Sequence, residues 1–556
     1  MHRSLLSTLL VIALIFSSVP ASIGQSTTRS TSAAPTSTGG LTASDSATAL
    51  ARLESDLRKL VTLTTEINQR SVGIKVVSLM SGKNLFDLNG DKPLTPASTT
   101  KLLTAYSALL LFGSDYEIPT IAFATSRPKD GVLKGDLIIR GHGDPLLSTV
   151  DIDELVAKLA TSGIKRIEGD IIADATYFDG IYERLNYSGD ADVVVDLPPV
   201  CGLSIEGNVV TVVVSSSRQS GQLCTVQTFP PSSGFAISNT AVSGGGGGKK
   251  KKRTSYNEGT PGADEFSVER YGDEEVIARR GGASDENAGG PTIKLTTDEN
   301  GRQSISVSGT LGTNQTVSRQ FEITNPPMIV AGMVRDRLLT RGITIDGDVR
   351  MGATPTKAAA IAQVERPLRE VLNPVLKDSH NHYAEFLFKM IGGATSSSAG
   401  NVSTAEQARL AVTQCMAAAE CEFGICKMND GSGLSRRNLI SPDALVAALA
   451  SAYNNPLIFD ALYESMSIAG VDGTLRKRMK GTRAAGNVHG KTGTLRNVSA
   501  LTGYVTTADG EVMAFAMLMN GGNIGAYKEV QNNIATRIAR FSYTEKSGVD
   551  TSVKRK

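Results

Sequence analysis

The sequence lacks an excess of either charge, any metal-ligand pattern and any long apolar run beyond its first residues. Lys+Arg number 57 and Asp+Glu 55, a formal net charge of +2. A nucleic-acid-binding face usually shifts a domain strongly basic, so that class is set aside. The five histidines, His2, His142, His380, His382 and His489, show no H-E-x-x-H or similar spacing. The familiar metal sites are therefore excluded, and neither a metal nor a cofactor is expected. No G-x-S-x-G occurs, which removes a hydrolase built on a nucleophile elbow. Cysteine is scarce at five residues, and the spacings of Cys201, Cys224, Cys415, Cys421 and Cys426 fit no C-x-x-C zinc pair. Internal repeats are absent.

What is present begins with length. A chain of 556 residues is too long for one compact domain. Its 40% hydrophobic and 20% charged content is that of a chain able to bury a core. Met1-His2-Arg3, the apolar run Leu5 to Phe16 and the small residues that follow predict an export signal over 1–24. The run is too short for a bilayer span, which needs about 20 apolar residues. A mature protein without a membrane span, placed in the periplasm or at the cell wall, is expected. Export permits disulfides, and chain proximity suggests Cys201 with Cys224 and one pair among Cys415, Cys421 and Cys426.

Along the chain, 25–46 is Ser/Thr-rich and reads as a flexible linker. Leu50, Leu53, Leu57 and Leu60 predict an amphipathic helix. Val72 to Met80 and Leu85 to Leu88 flank a Ser81–Asn84 turn as a hairpin. From about 120 to 345 the texture is β-rich, with runs at 137–140, 167–173, 209–214 and 304–308 and one helix at 152–160. Residues 243–292 hold five consecutive glycines, four lysines and a charged stretch, and are expected to be disordered. Ser243 stands where a phosphate loop needs its first glycine, and Lys250 where it needs Ser or Thr. Two strands, 498–505 and 512–519, close the globular part, and 546–556 reads as a flexible tail.

Three motifs carry chemistry. Ser98 and Lys101 form S-x-x-K ahead of the apolar run Leu102 to Phe112. Three residues apart at a helix start, they share a face. A lysine amine kept neutral can take the proton of a neighbouring hydroxyl. Two other S-x-x-K matches, at Ser126 and Ser162, fall on a proline-containing segment and a turn. Ser379-His380-Asn381 supplies a hydroxyl and a carboxamide on one loop. Lys491-Thr492-Gly493-Thr494 places a cation, hydroxyls and a glycine on a strand that can receive an extended substrate.

The three motifs in this order resemble the set of the active-site serine acyl-transferring enzymes, the β-lactamases and penicillin-binding proteins. The gap from position 98 to 379 is 281 residues and that from 379 to 491 is 112. With Leu137–Pro145, Glu168–Asp170, Asp430–Arg436 and Ala469–Leu475, the chain resembles the class C penicillin-binding proteins, D-alanyl-D-alanine carboxypeptidases/endopeptidases, over about 48–543. His380 stands where that family often has aspartate.

The resemblance implies an α/β (α+β) fold. A transpeptidase-like domain over 47–120 and 355–545 would carry an antiparallel sheet flanked by helices, and one or two β-rich domains would be inserted at 121–354. It implies catalytic roles for Ser98, Lys101, Ser379 and Asn381, and substrate binding by Lys491, Thr492, Gly493, Thr494 and Asp174. Peptidoglycan stem peptides are the implied substrates and β-lactams the inhibitors. A β-lactamase or esterase on the same fold, and a non-catalytic wall-binding or β-lactam-sensing module, are the alternatives.

Overall fold

The computed structural model describes residues 43–64, 67–190, 197–244, 290–299, 301–394, 402–421 and 426–544, with the backbone of 266–271 and 274–279. The expected export signal, most of the linker and the 546–556 tail lie outside these residues.

The catalytic part is one six-stranded antiparallel sheet. Its strands in chain order are β1 (Val72–Ser78), β2 (Asn84–Leu88), β3 (Ser467–Ile468), β4 (His489–Leu495), β5 (Val498–Thr506) and β6 (Val512–Asn520). In space the order is β2-β1-β6-β5-β4-β3, so the first hairpin is sealed against the last strand. Five helices frame it: α1 (Ala43–Thr62), α2 (Thr100–Phe112), α3 (Asn381–Ala394), α4 (Pro442–Tyr453) and α5 (Ile524–Ala539).

β6 explains why helices cover both faces. Successive strand side chains point to opposite sides. Met513, Phe515, Met517 and Met519 enter the core shared with α1 and α5. Ala514, Ala516 and Leu518 enter the core shared with α2, α3 and α4. The small alanines let those helices lie close. In α1, Ala49, Leu53, Leu57 and Val61 recur every four residues and are buried, a one-sided stripe. From Thr100 to Leu109, by contrast, α2 is buried all round, as a central helix must be.

Between α2 and α3 the chain builds further sheets. It leaves along Glu117–Ala124 and returns along Ala359–Pro367, which pair antiparallel as neighbours. These two strands join Leu137–Gly141, Ile171–Asp174 and Val349–Met351 in a five-stranded sheet. The described residues of this region also form three three-stranded sheets, one of them Thr316–Glu322, Val209–Ser215 and Thr225–Phe229.

Several expectations need correction. The linker ends early, because α1 starts at Ala43. The 167–173 run is two strands, Arg166–Ile167 and Ile171–Asp174. The chain bends between them at Gly169, where a Cβ would lie 2.5 Å from the carbonyl carbon of Gly135. Two further helices, Arg184–Ser188 and Pro326–Thr340, occupy the β-rich region, and the longer supplies Ile329, Val330, Ala331, Met333, Val334 and Leu338 to its core. Most of 243–292 lies outside the described residues, yet Phe266–Tyr271 and Glu274–Arg279 pair as an antiparallel hairpin there. The expected disulfides are not formed among the described residues, where Cys201, Cys224, Cys415 and Cys426 are thiols. The Cys201 thiol donates to the Leu203 carbonyl oxygen, and Cys224 lies in the core of the inserted sheets.

Candidate active site

The site is built where the start of α2, the start of α3 and strand β4 meet. Ser98 sits in a short 3-10 turn, Ala97–Thr99, that feeds α2. Ala97 has φ +49°, a left-handed backbone uncommon for a residue with a side chain. Ser379 has φ +62° just before α3. Such conformations cost of order 1–3 kcal/mol each and persist where surrounding structure imposes them. Here both turn a serine hydroxyl toward a lysine.

Lys101 is fully buried. Its Nζ lies 2.9 Å from Ser98 Oγ and donates to Asn381 Oδ1 at 2.7 Å and to the Ser432 carbonyl at 2.6 Å. The amide oxygen and the carbonyl are acceptors only. A neutral amine can satisfy both with its two N–H groups and keep its lone pair for the Ser98 proton.

Lys491, equally buried, donates to Ser379 Oγ at 2.8 Å and to the Thr492 carbonyl at 2.8 Å. The Thr492 hydroxyl donates to Thr474 Oγ1 at 2.8 Å. The Thr494 hydroxyl is buried with no hydrogen-bond partner among the described residues. An unpaired buried hydroxyl is costly unless something else fills its place. In this strand it stands beside the Ser98 turn.

Gly493 is what lets β4 approach that turn. A Cβ there would lie 2.6 Å from the Pro96 carbonyl oxygen and 3.1 Å from the amide nitrogens of Ser98 and Thr99. Gly493→Ala should therefore push the strand away from the nucleophile. A misplacement near 1 Å can cost about 10²-fold in rate. The expected result is an acylation rate by fluorescent penicillin lowered by about that factor. A rate within about twofold of wild type would show that this contact does not set the geometry. Gly433, at φ +85°, plays the same part on the opposite wall, where a Cβ would meet the Ala97 carbonyl oxygen at 2.1 Å.

His380 stacks on Tyr383 with ring centroids 3.7 Å apart, and its Nδ1 accepts the Tyr383 N–H at 3.3 Å. Burial, then the charges of His382 and Lys101, push its pKa down to about 3. The position after Ser379 is thus held by a neutral ring.

Eight of the nine predicted site residues converge: Ser98, Lys101, Ser379, Asn381, Lys491, Thr492, Gly493 and Thr494. The ninth, Asp174, ends a strand of the five-stranded sheet and is fully buried. Its carboxylate accepts the N–H and hydroxyl groups of Thr176 and of Thr354. Burial works to raise its pKa, but those hydrogen bonds hold it below the usual carboxylate value. Motif reading missed Thr474, which links β4 through Ser467 Oγ to the Lys377 carbonyl before Ser379. It also gave no role to Ser432, although both residues lie in segments already singled out. Among the described residues no cluster of His, Cys, Asp or Glu could hold a metal ion.

The sequence matches the D-Ala-D-Ala carboxypeptidase 3 (S13) family over residues 53–269 and 265–543. The chain belongs to this family. S13 membership makes it a serine-type carboxypeptidase, in agreement with the motif order. Among S13-type relatives, it is 32% identical over 482 residues to a D-alanyl-D-alanine carboxypeptidase of Actinomadura sp. strain R39, covering 84% of this chain and 81% of that protein. It is 26% identical over 462 residues to D-alanyl-D-alanine carboxypeptidase DacB of Haemophilus influenzae, covering 82% and 86%. The crystal structure of penicillin-binding protein 4 from H. influenzae shares the fold, with a TM-score of 0.61 at 22% identity over 88% of this chain and 99% of that one. That protein has also been solved in complex with a β-lactam.

Proposed function

We propose that this S13 chain cleaves the terminal D-alanyl-D-alanine bond of peptidoglycan stem peptides through an acyl-enzyme on Ser98. The observation that carries the reading is the placement of buried Lys101 Nζ 2.9 Å from Ser98 Oγ, between two acceptor-only groups. Ser98 Oγ attacks the carbonyl carbon of the penultimate D-alanine and Lys101 takes its proton. The N–H groups of Ser98 and Thr494 receive the oxyanion, each such donor being worth about 3–4 kcal/mol. As the C–N bond breaks, Ser379 passes a proton to the leaving amine from the Lys491 side. Water then releases the shortened peptide by the same route in reverse.

The terminal carboxylate is met by Lys491 and the Thr494 hydroxyl. Thr492, turned toward Thr474, steadies the strand. Asn381 orients the substrate amide and Lys101. Asp174, closed over by Thr176 and Thr354, shapes its own loop rather than meeting a substrate amine. The enzyme acts on the outer side of the cytoplasmic membrane. No helix among the described residues is long and apolar enough to cross a membrane.

β-Lactams mimic the D-alanyl-D-alanine end and acylate the same serine. Mass spectrometry after penicillin exposure should show one persistent adduct on the peptide containing Ser98. Rapid turnover without an adduct would favour a β-lactamase and overturn the carboxypeptidase assignment. Stable labelling without D-alanine release from a peptide substrate would instead mark a sensing module.

A further inference from the structure

Glu385 is fully buried one helical turn after Asn381 on α3. Its Oε1 accepts the Ser432 N–H at 2.8 Å. Its Oε2 accepts the Tyr187 hydroxyl at 3.0 Å and the Gly431 N–H at 3.3 Å. All three partners donate, which suits an ionised carboxylate. Burying such a group is expensive. Burial raises the Glu385 pKa, Asp430 adds to this and Arg184 opposes it. Neither catalysis nor substrate binding, as derived above, uses this carboxylate.

Its position shows what it holds. Ser432, whose N–H Glu385 accepts, gives its carbonyl to Lys101 Nζ. The same helix therefore reaches the amine twice, directly through Asn381 and indirectly through Glu385 and Ser432. The rest of that loop is fixed separately. Asp430 accepts the N–H groups of Gly433 at 3.0 Å and Ser435 at 2.8 Å and pairs with Arg184 at 3.0 Å.

We propose that Glu385 is a positioning residue for the catalytic base: it sets the Ser432 carbonyl that, with Asn381, keeps Lys101 Nζ at the Ser98 hydroxyl, and its charge sets the pH range in which Lys101 serves. The inference rests on the roles proposed for Ser98 and Lys101. The charged and titratable groups facing this carboxylate are Asp430 from the loop, Arg184 and Tyr187 from the helix Arg184–Ser188, and Lys389 from α3 itself. Lys101 on α2 lies beyond Ser432. His380, neutral above about pH 3, adds no charge near neutrality.

The test measures acylation by fluorescent penicillin against pH for the whole protein, its Glu385→Asp and Glu385→Gln variants, and Ser98→Ala. Aspartate keeps the charge but draws it back from the Ser432 N–H. The expected result is a rate lowered about 10-fold or more with the acidic limb of the profile unmoved. Glutamine removes the charge, so the neutral amine becomes available at lower pH. Its acidic limb should move down by about one pH unit, alongside a slower rate. A purely structural role would lower the labelled fraction or the melting temperature and leave the limb in place.

Wild-type rates in both variants, or slow acylation by Glu385→Gln with an unmoved limb, would overturn the proposal. If Glu385→Gln does not fold, the Glu385→Asp rate decides it: at least a 10-fold loss at full labelling supports it, and a wild-type rate overturns it. Ser98→Ala separates the two failures. Labelling of Ser98→Ala would refute the assignment of the nucleophile, whereas an unlabelled Ser98→Ala beside wild-type Glu385 variants would refute only the positioning role.

Discussion

Ser98→Ala should abolish penicillin labelling and D-alanine release together, with a fall of about 10⁴-fold or more in turnover. The effect is large because the covalent route disappears altogether. Ser98 is 7% exposed, and the other serine hydroxyl of the site, that of Ser379, already accepts from Lys491. The variant should fold, since removal of one oxygen leaves the Ala97–Thr99 turn and its backbone hydrogen bonds intact. Comparable melting temperatures for variant and wild type would confirm that the loss is chemical. Retention of both activities would mean that another group is the nucleophile.

Replacement of Lys101 carries the second large effect. Lys101→Ala removes the proton acceptor, a loss of about 10³-fold, and leaves the Asn381 and Ser432 oxygens without their buried donor. Lys101→Arg is the sharper version. Arginine keeps the positive charge but cannot give up its proton in a protein. If Lys101 acts as a base, Lys101→Arg should acylate no faster than Lys101→Ala. If its work were only electrostatic attraction of the ligand, Arg would restore most of the rate. Single-turnover acylation by penicillin separates the two outcomes.

The parts legible in the sequence were those with short-range or ordered signatures. Ser98 and Lys101 share one helix face through local spacing. Leu50, Leu53, Leu57 and Leu60 announce α1 by their helical spacing, and the unbroken apolar run from Val512 to Met519 announces β6. The order of the three motifs located a site that no single motif could. What escaped depends on distant partners. Glu385 looks like any helical glutamate until Ser432 is seen 47 positions away. Pro326 and Pro327 hid a helix that is apolar around much of its circumference and so shows little periodicity. The cysteine pairs were inferred from closeness along the chain, which does not supply the specific geometry that an S–S bond needs.

The neighbour relation of β1 and β6 has a consequence in time. Val72 pairs with Met519, and Ser78 with Met513, across almost the whole chain. A ribosome or an export channel delivers the nucleophile early and its covering strands last. Contacts so far apart in sequence form slowly, because a long loop must close before they contribute any stability. Until β4 to β6 arrive, the reactive serine has Lys101 beside it but neither Lys491 across the site nor a sealed sheet beneath it. A chain that ends before β4 should therefore fail to acylate with penicillin, because Lys491, Thr494 and the sealing strands are all still to come.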